Sequence, residues 1–141
     1  MALDLSKNSS AKSIYELSQV EGGGGMAYVD RGDSPAHDFI REDFIADSSW
    51  HTLDLSSIVP EGTTSVHLRI QVKSILVNYS INFRKKGNVN EYNMNAIVIQ
   101  VAGVQRHEDR LVACDSGRKI EYKVVGSNWE IINILVKGWF V

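Results

Sequence analysis

Val66-His67-Leu68-Arg69-Ile70-Gln71-Val72 alternates apolar and polar residues without a break. A period of two places all four apolar side chains on one face, the mark of a half-buried β-strand. The rhythm recurs on both sides of this stretch. Tyr79, Ile81 and Phe83 alternate with Ser80, Asn82 and Arg84, and Ile120, Tyr122 and Val124 alternate with Glu121 and Lys123. Trp50, Leu53 and Leu55 open the series, closed by Ile58-Val59-Pro60-Glu61-Gly62. Ala96 to Val101 and Leu111-Val112-Ala113-Cys114 are apolar runs, the second ended by Asp115-Ser116-Gly117. Lys85-Lys86-Gly87-Asn88 and Gly126-Ser127-Asn128 are turn sequences. About seven strands with turn signals roughly every 8–15 residues predict an all-β fold. The expected body, residues 48–141, is an antiparallel β-sandwich or jelly-roll-like domain. No helical period separates the strands, which argues against a parallel βαβ sheet.

The last strand, Trp129 to Val141, differs from the others. Strict alternation puts Trp129, Ile131, Asn133, Leu135 and Lys137 on one face and Glu130, Ile132, Ile134 and Val136 on the other. Both faces are then largely apolar, and Trp139-Phe140-Val141 comes next with no polar tail. Such a strand must be covered on both sides, by the front of the chain or by a neighbouring subunit. Ile132, Ile134, Val136, Trp139 and Phe140 are therefore expected to pack at a core or at a subunit interface, which makes them the candidate oligomer interface, and a homo-oligomer is expected.

The chain has 141 residues, 43% of them hydrophobic and 23% charged, enough for one core. No apolar run approaches the roughly 18 residues of a membrane span, and the start lacks the pattern of a secretory signal. A net charge of −2 does not mark a general nucleic-acid binder. The single cysteine, Cys114, excludes an internal disulfide framework and a cysteine-based zinc site. Charge is nonetheless uneven: residues 1–47 sum to −5 and residues 48–141 to +3. Opposite signs predict that the front lies against the body or a neighbour.

Residues 1–47 read as an N-terminal arm. Ser10 is a candidate N-cap for a short helix carrying Ile14, Leu17 and Val20, too short to stand alone. Gly22-Gly23-Gly24-Gly25 reads as a hinge, because four glycines lose much entropy on ordering. A phosphate loop would need a lysine and a helix after it, and Met26-Ala27-Tyr28-Val29 supplies neither. Arg31-Gly32-Asp33 is an integrin-recognition tripeptide, but Asp30 to Pro35 also reads as a simple turn, and the turn is expected. Phe39-Ile40 and Phe44-Ile45 form an apolar strip expected to bind the body.

No catalytic signature emerges, and no cofactor is expected. His37, His51, His67 and His107 are dispersed, and His107-Glu108-Asp109 is expected as a solvated loop. Cys114 sits in an apolar strand, where a thiol is inert packing. Glu91, Asp109 and Glu121 show no spacing that singles out a carboxylate pair. The candidate binding surface is a cationic end of the sandwich formed by Arg84, Lys85, Lys86, Asn88, Tyr92 and Arg106. Positive charge beside an exposed aromatic suits an anionic ligand or a glycan, and Trp50 is a further aromatic for stacking.

Several segments resemble a family of small, uncharacterised β-rich proteins of tailed phages and phage-derived genomes. They are Asp30-Arg31-Gly32-Asp33, Asp38-Phe39, Trp50 to Gly62, Phe83 to Asn88, Val112-Ala113-Cys114-Asp115 and Gly138-Trp139. The resemblance spans residues 28–141. It implies a virion component (capsid surface, tail or fibre), made in the host cytoplasm, whose partners are other virion proteins. It implies no catalytic residues. Fold analogy with small β-sandwich virion proteins favours a trimer. A glycan-binding module is the alternative, with cell-surface glycan as partner; neither membrane nor specific nucleic acid is expected.

Overall fold

The computed structural model describes residues 27–141. Nine strands form two antiparallel sheets: β1 (Tyr28–Asp30), β2 (Phe39–Ile40), β3 (Trp50–Asp54), β4 (Ser65–Ser74), β5 (Ser80–Lys85), β6 (Asn95–Val98), β7 (Arg106–Ala113), β8 (Lys119–Val125) and β9 (Trp129–Phe140). One sheet runs β1-β9-β4-β7, with β2 also paired to β9; the other runs β3-β8-β5-β6. The expected all-β sandwich is present, and each strand read from the alternation lies where its apolar residues placed it. Among the described residues no helix is long and apolar enough to cross a membrane.

The core lies between the sheets. Val66, Leu68, Ile70 and Val72 are fully buried, facing Ile81, Phe83, Ile120 and Val124. The alternation of Val66 to Val72 is thus the inner face of β4, burial being the dominant favourable term.

β9 departs from strict alternation in an informative way. Its register with β4 shifts between His67 and Leu68 and between Lys73 and Ser74. Gly138 lies opposite His67 and Val136 opposite Leu68, so Lys137 is an extra residue. Ile131 lies opposite Lys73 and Trp129 opposite Ser74, so Glu130 is another. Each extra residue is a β-bulge that reverses the facing of the residues after it. Trp129, Ile132, Ile134, Val136 and Trp139 consequently all turn toward the core, although their numbers change parity twice.

Of the core or subunit interface expected of these residues, the structure shows the core. Ile132, Ile134 and Val136 are buried in the chain's own core, and Trp139 packs against it. Phe140, half-buried, meets Tyr28 edge-on, 5.2 Å between ring centroids. The inward face of β9 is hidden by the chain's own sandwich.

The division drawn at residue 47 also does not mark the edge of the sandwich. β1 and β2 both pair with β9, and Arg31 N donates to Lys137 O at 2.9 Å. A 3₁₀ turn at Arg41–Asp43 leads to Phe44, which is buried edge-on to Tyr122 at 4.8 Å. Of the apolar strip Phe39-Ile40 and Phe44-Ile45, the two phenylalanines bind the body as expected, while Ile40 and Ile45 are exposed. Among the described residues, the ion pairs of residues 27–47 are Arg31–Asp38, Arg41–Glu42 and Asp47–His51, of which only the last crosses to the body, while Arg31 and Arg41 bond the carbonyls of Val136 and Trp129 on β9. The candidate helix and the tetraglycine hinge at 22–25 lie outside the described residues.

Gly138 has a specific role. A Cβ there would overlap the Tyr28 hydroxyl and ring and the Val29 carbonyl, so only glycine lets β1 close over β9.

Candidate functional site

β5 ends in Phe83-Arg84-Lys85, with Phe83 inward and Arg84 on the outer face. A turn through Gly87, at φ +100°, leads into the connection 86–94, which carries Asn88, Asn90 and Asn93 before Asn95 opens β6. Polar amides with no apolar rhythm cannot enter the core, so this segment stays outside it. Tyr92 at its tip is 99% exposed and Val89 82%.

Beside this loop lies a groove of about 510 Å³, lined by Arg84, Lys85, Asn88, Asn93 and Asn95 on one side and Leu111, Val112 and Ala113 on the other. Asn95 Nδ2 donates to Leu111 O at 3.0 Å and so ties the β6 edge to β7. The lining offers amide donors and acceptors, one lysine ammonium and the exposed side chain of Leu111. Such a mixture hydrogen-bonds a polyhydroxylated ligand while packing against its C–H face.

The structure divides the six expected binding residues. Lys85 and Asn88 line the groove and Tyr92 stands next to it. Arg84 is nearly buried: its Nε donates to Glu121 Oε1 at 2.6 Å, and its guanidinium lies 4.1 Å from the Trp50 ring centroid. Its charge is compensated within the protein, not offered to a ligand. Lys86 Nζ donates to Thr52 Oγ1 at 2.7 Å and sits 3.7 Å from Glu121.

Arg106 does not belong to this end at all. It bonds the carbonyl of Val98, which pairs with Ser80 at the start of β5, whereas Arg84 lies near its finish. It also pairs with Glu108 at 3.0 Å. The expected cationic end is thus a polar groove with Lys85 as its one cation free of an ion pair among the described residues.

Trp50 anchors a neighbouring cluster on the outer face of β3, β8 and β5. Its indole N–H donates to Glu91 Oε2 at 2.8 Å, and Lys123 Nζ donates to the same oxygen at 2.6 Å. The Lys123 bond first, then the Trp50 bond, hold the Glu91 carboxyl below the usual carboxylate range. Glu91 therefore pins the 86–94 loop to the sheet. The sequence displays Glu91, Glu121 and Lys123, but only the registers Trp50↔Lys123 and Arg84↔Glu121 bring them together.

The other candidates have structural roles. His107-Glu108-Asp109 is not a loop but part of β7, with Glu108 turned opposite to its two neighbours. Glu108 is held below the usual range by a hydrogen bond from Arg110 and another from Arg106. Among the described residues no group of three or more His, Cys, Asp or Glu could hold a metal ion. Cys114 is buried, its thiol donates to Thr63 O at 3.3 Å, and burial pushes its pKa up. The Arg31 guanidinium pairs with Asp38 and donates to Val136 O at 3.1 Å, while Gly32 N donates to Asp30 Oδ2 at 3.1 Å. Arg31-Gly32-Asp33 lies in an irregular connection after β1, with Gly32 at φ +91°, and Arg31 has a structural role there.

No family model matches the chain, and neither a curated protein nor a solved structure matches it significantly.

Proposed function

We propose that this chain is a non-enzymatic structural protein of a virion, a capsid-surface, tail or fibre component that works through assembly. The observation that carries the reading is the strand order. Apart from the β1–β2 and β5–β6 pairs, successive strands lie in opposite sheets, and β1 and β2 end beside β9, β4 beside β7 and β3 beside β8. That interleaving supports a jelly-roll reading, an architecture used by viral capsid and lectin domains. The likeness is one of fold and does not by itself carry function. The phage resemblance of residues 28–141 adds the setting. Immunogold labelling of purified particles from the source, with antibody to this chain, tests it. Label on particles is expected; label confined to particle-free fractions overturns it.

The groove favours a second reading, a glycan-binding module. Lys85, Asn88, Asn93 and Asn95 converge beside the fully exposed Tyr92. Protein aromatic rings bind sugar C–H faces, and amides bind hydroxyls. A glycan array should give hits that Tyr92→Ala and Asn93→Ala both abolish. An array without hits, or hits indifferent to both variants, ends this reading.

A further inference from the structure

We propose that Trp50 and Lys123 form a binding site for the carboxylate of an acidic sugar, which Glu91 occupies as an internal ligand until the sugar displaces it. The sugar in this assignment rests on the glycan-binding reading; the carboxylate does not.

The two donors belong to the sheet. Trp50 on β3 and Lys123 on β8 are register partners, so strand pairing sets them side by side on the outer face. Trp50 Nε1 at 2.8 Å and Lys123 Nζ at 2.6 Å converge on one oxygen, Glu91 Oε2. The Arg84 guanidinium, 4.1 Å from the Trp50 ring centroid, and the Lys123 ammonium, 5.1 Å from it, both lie against the indole and help to fix it. An indole N–H and an ammonium aimed at one point recognise a carboxylate through charge-assisted hydrogen bonds.

The acceptor is the exchangeable part. Glu91 lies on the connection 86–94, outside both sheets, and its side chain is 46% exposed against 19% for Lys123. Among the described residues its second oxygen, Oε1, has no hydrogen-bond partner. A pair this exposed favours the closed arrangement by about fivefold at most, so Glu91 can turn into solvent while the two donors stay in place. Its departure leaves Arg84, Lys86 and Lys123 matched by Glu121 alone within the cluster. That surplus of positive charge draws in another anion.

The body of the ligand also has a place. Glu91 lines a hollow of about 470 Å³ together with Val89, Asn90 and Tyr92. Tyr92 offers an open ring to sugar C–H faces, and Asn90 an amide to hydroxyls. A uronic acid whose carboxylate replaces that of Glu91 brings its ring into this hollow.

Two-dimensional NMR of the indole N–H groups tests the proposal on the full chain. There are three tryptophans, and Trp50→Phe assigns the Trp50 signal. Sodium acetate, sodium glucuronate, sodium phosphate and glucose are each added to about 100 mM at constant ionic strength, which spans the millimolar affinities of so small a ligand. In Glu91→Ala the Trp50 signal should shift saturably with acetate and glucuronate, but not with phosphate or glucose. The wild type should bind both carboxylates more weakly, by up to about fivefold, because Glu91 competes. Glucuronate should bind several-fold tighter than acetate, an advantage that Tyr92→Ala removes. Lys123→Met in the Glu91→Ala background should abolish both. Glu91→Gln, which keeps the size and drops the charge, serves if the alanine variant misfolds. A Trp50 signal unmoved by either carboxylate in a folded Glu91 variant overturns the proposal, and glycan-array hits on neutral sugars would then leave the glycan-binding reading standing without it. A wild type that binds as tightly as the variant also overturns it, since Glu91 then only ties the loop down. An equal effect of phosphate overturns the carboxylate class, and acetate bound as tightly as glucuronate overturns the sugar.

Discussion

Trp139 offers the sharpest test of the bulged last strand. It lies opposite Val29 on one side and Val66 on the other, and its ring packs against the core. Its indole nitrogen is buried with no hydrogen-bond partner. Two opposed effects therefore meet in one side chain. Removing a core aromatic altogether costs about 3–5 kcal/mol, and the lower figure fits a ring that is only partly buried. Removing just the orphaned N–H relieves a desolvation cost of about 1–3 kcal/mol. Trp139→Phe also leaves a small void, which costs about 1 kcal/mol. Trp139→Ala should accordingly destabilise by about 3 kcal/mol, and Trp139→Phe should stay within about 1 kcal/mol of wild type. Urea unfolding monitored by far-ultraviolet circular dichroism, with the slope unchanged, measures both. A phenylalanine variant as damaged as the alanine variant would mean that the indole N–H is bonded after all. An alanine variant as stable as wild type would put the ring in water and contradict the bulge at Lys137.

Side-chain chemistry makes three further outcomes measurable. Glu121→Gln leaves the nearly buried Arg84 without its counter-charge and should cost about 3 kcal/mol in urea unfolding; Glu91→Gln, at an exposed bridge, should cost clearly less. Glu91 and Glu108 hold their protons less tightly than the ordinary 4.5, so their stabilising contribution is complete above that value and lost as pH falls through the lower folded-state values. Urea midpoints should be flat from about pH 7 to about pH 5 and then decline, less steeply in high salt. Cys114, buried and with its thiol pKa raised, should stay unreactive toward a disulfide reagent at about pH 8 and react fully once urea unfolds the chain.

The two-residue rhythm made the sandwich legible because burial on one face imprints itself directly on neighbouring residues. Val66 to Val72 and Ile120 to Val124 needed no partner to be read. The facing of Trp129 and Trp139 was not legible, because a bulge belongs to a strand pair: it takes β4 to show that Glu130 and Lys137 are extra. The candidate site divided for a similar reason. Lys85, at the end of β5, and Asn88 and Tyr92, on the connection that follows, come together by chain continuity, as local sequence suggests. Arg106 shares only its charge with them, and antiparallel pairing carries it to the other end of β5. Arg84 reads as a free cation in the sequence because Glu121, its partner, is 37 residues away.

Because most successive strands lie in opposite sheets, each end of the sandwich gathers connections that are far apart in sequence, and composition at an end is a property of the fold. One end collects residues 41–49, 75–79, 99–105 and 126–128, the first charged and the others uncharged, with exposed aliphatics on 75–79 and 99–105. The other collects the amide-rich connection 86–94, together with Ala27 and Val141, which bond to each other. Tyr92 and the groove thus lie at the pole away from the exposed aliphatics, and the glycan reading is testable apart from them: Tyr92→Ala should abolish glycan-array signals, and Leu76→Ser should leave them unchanged. Loss of the signal through Leu76→Ser would show that the two ends are coupled.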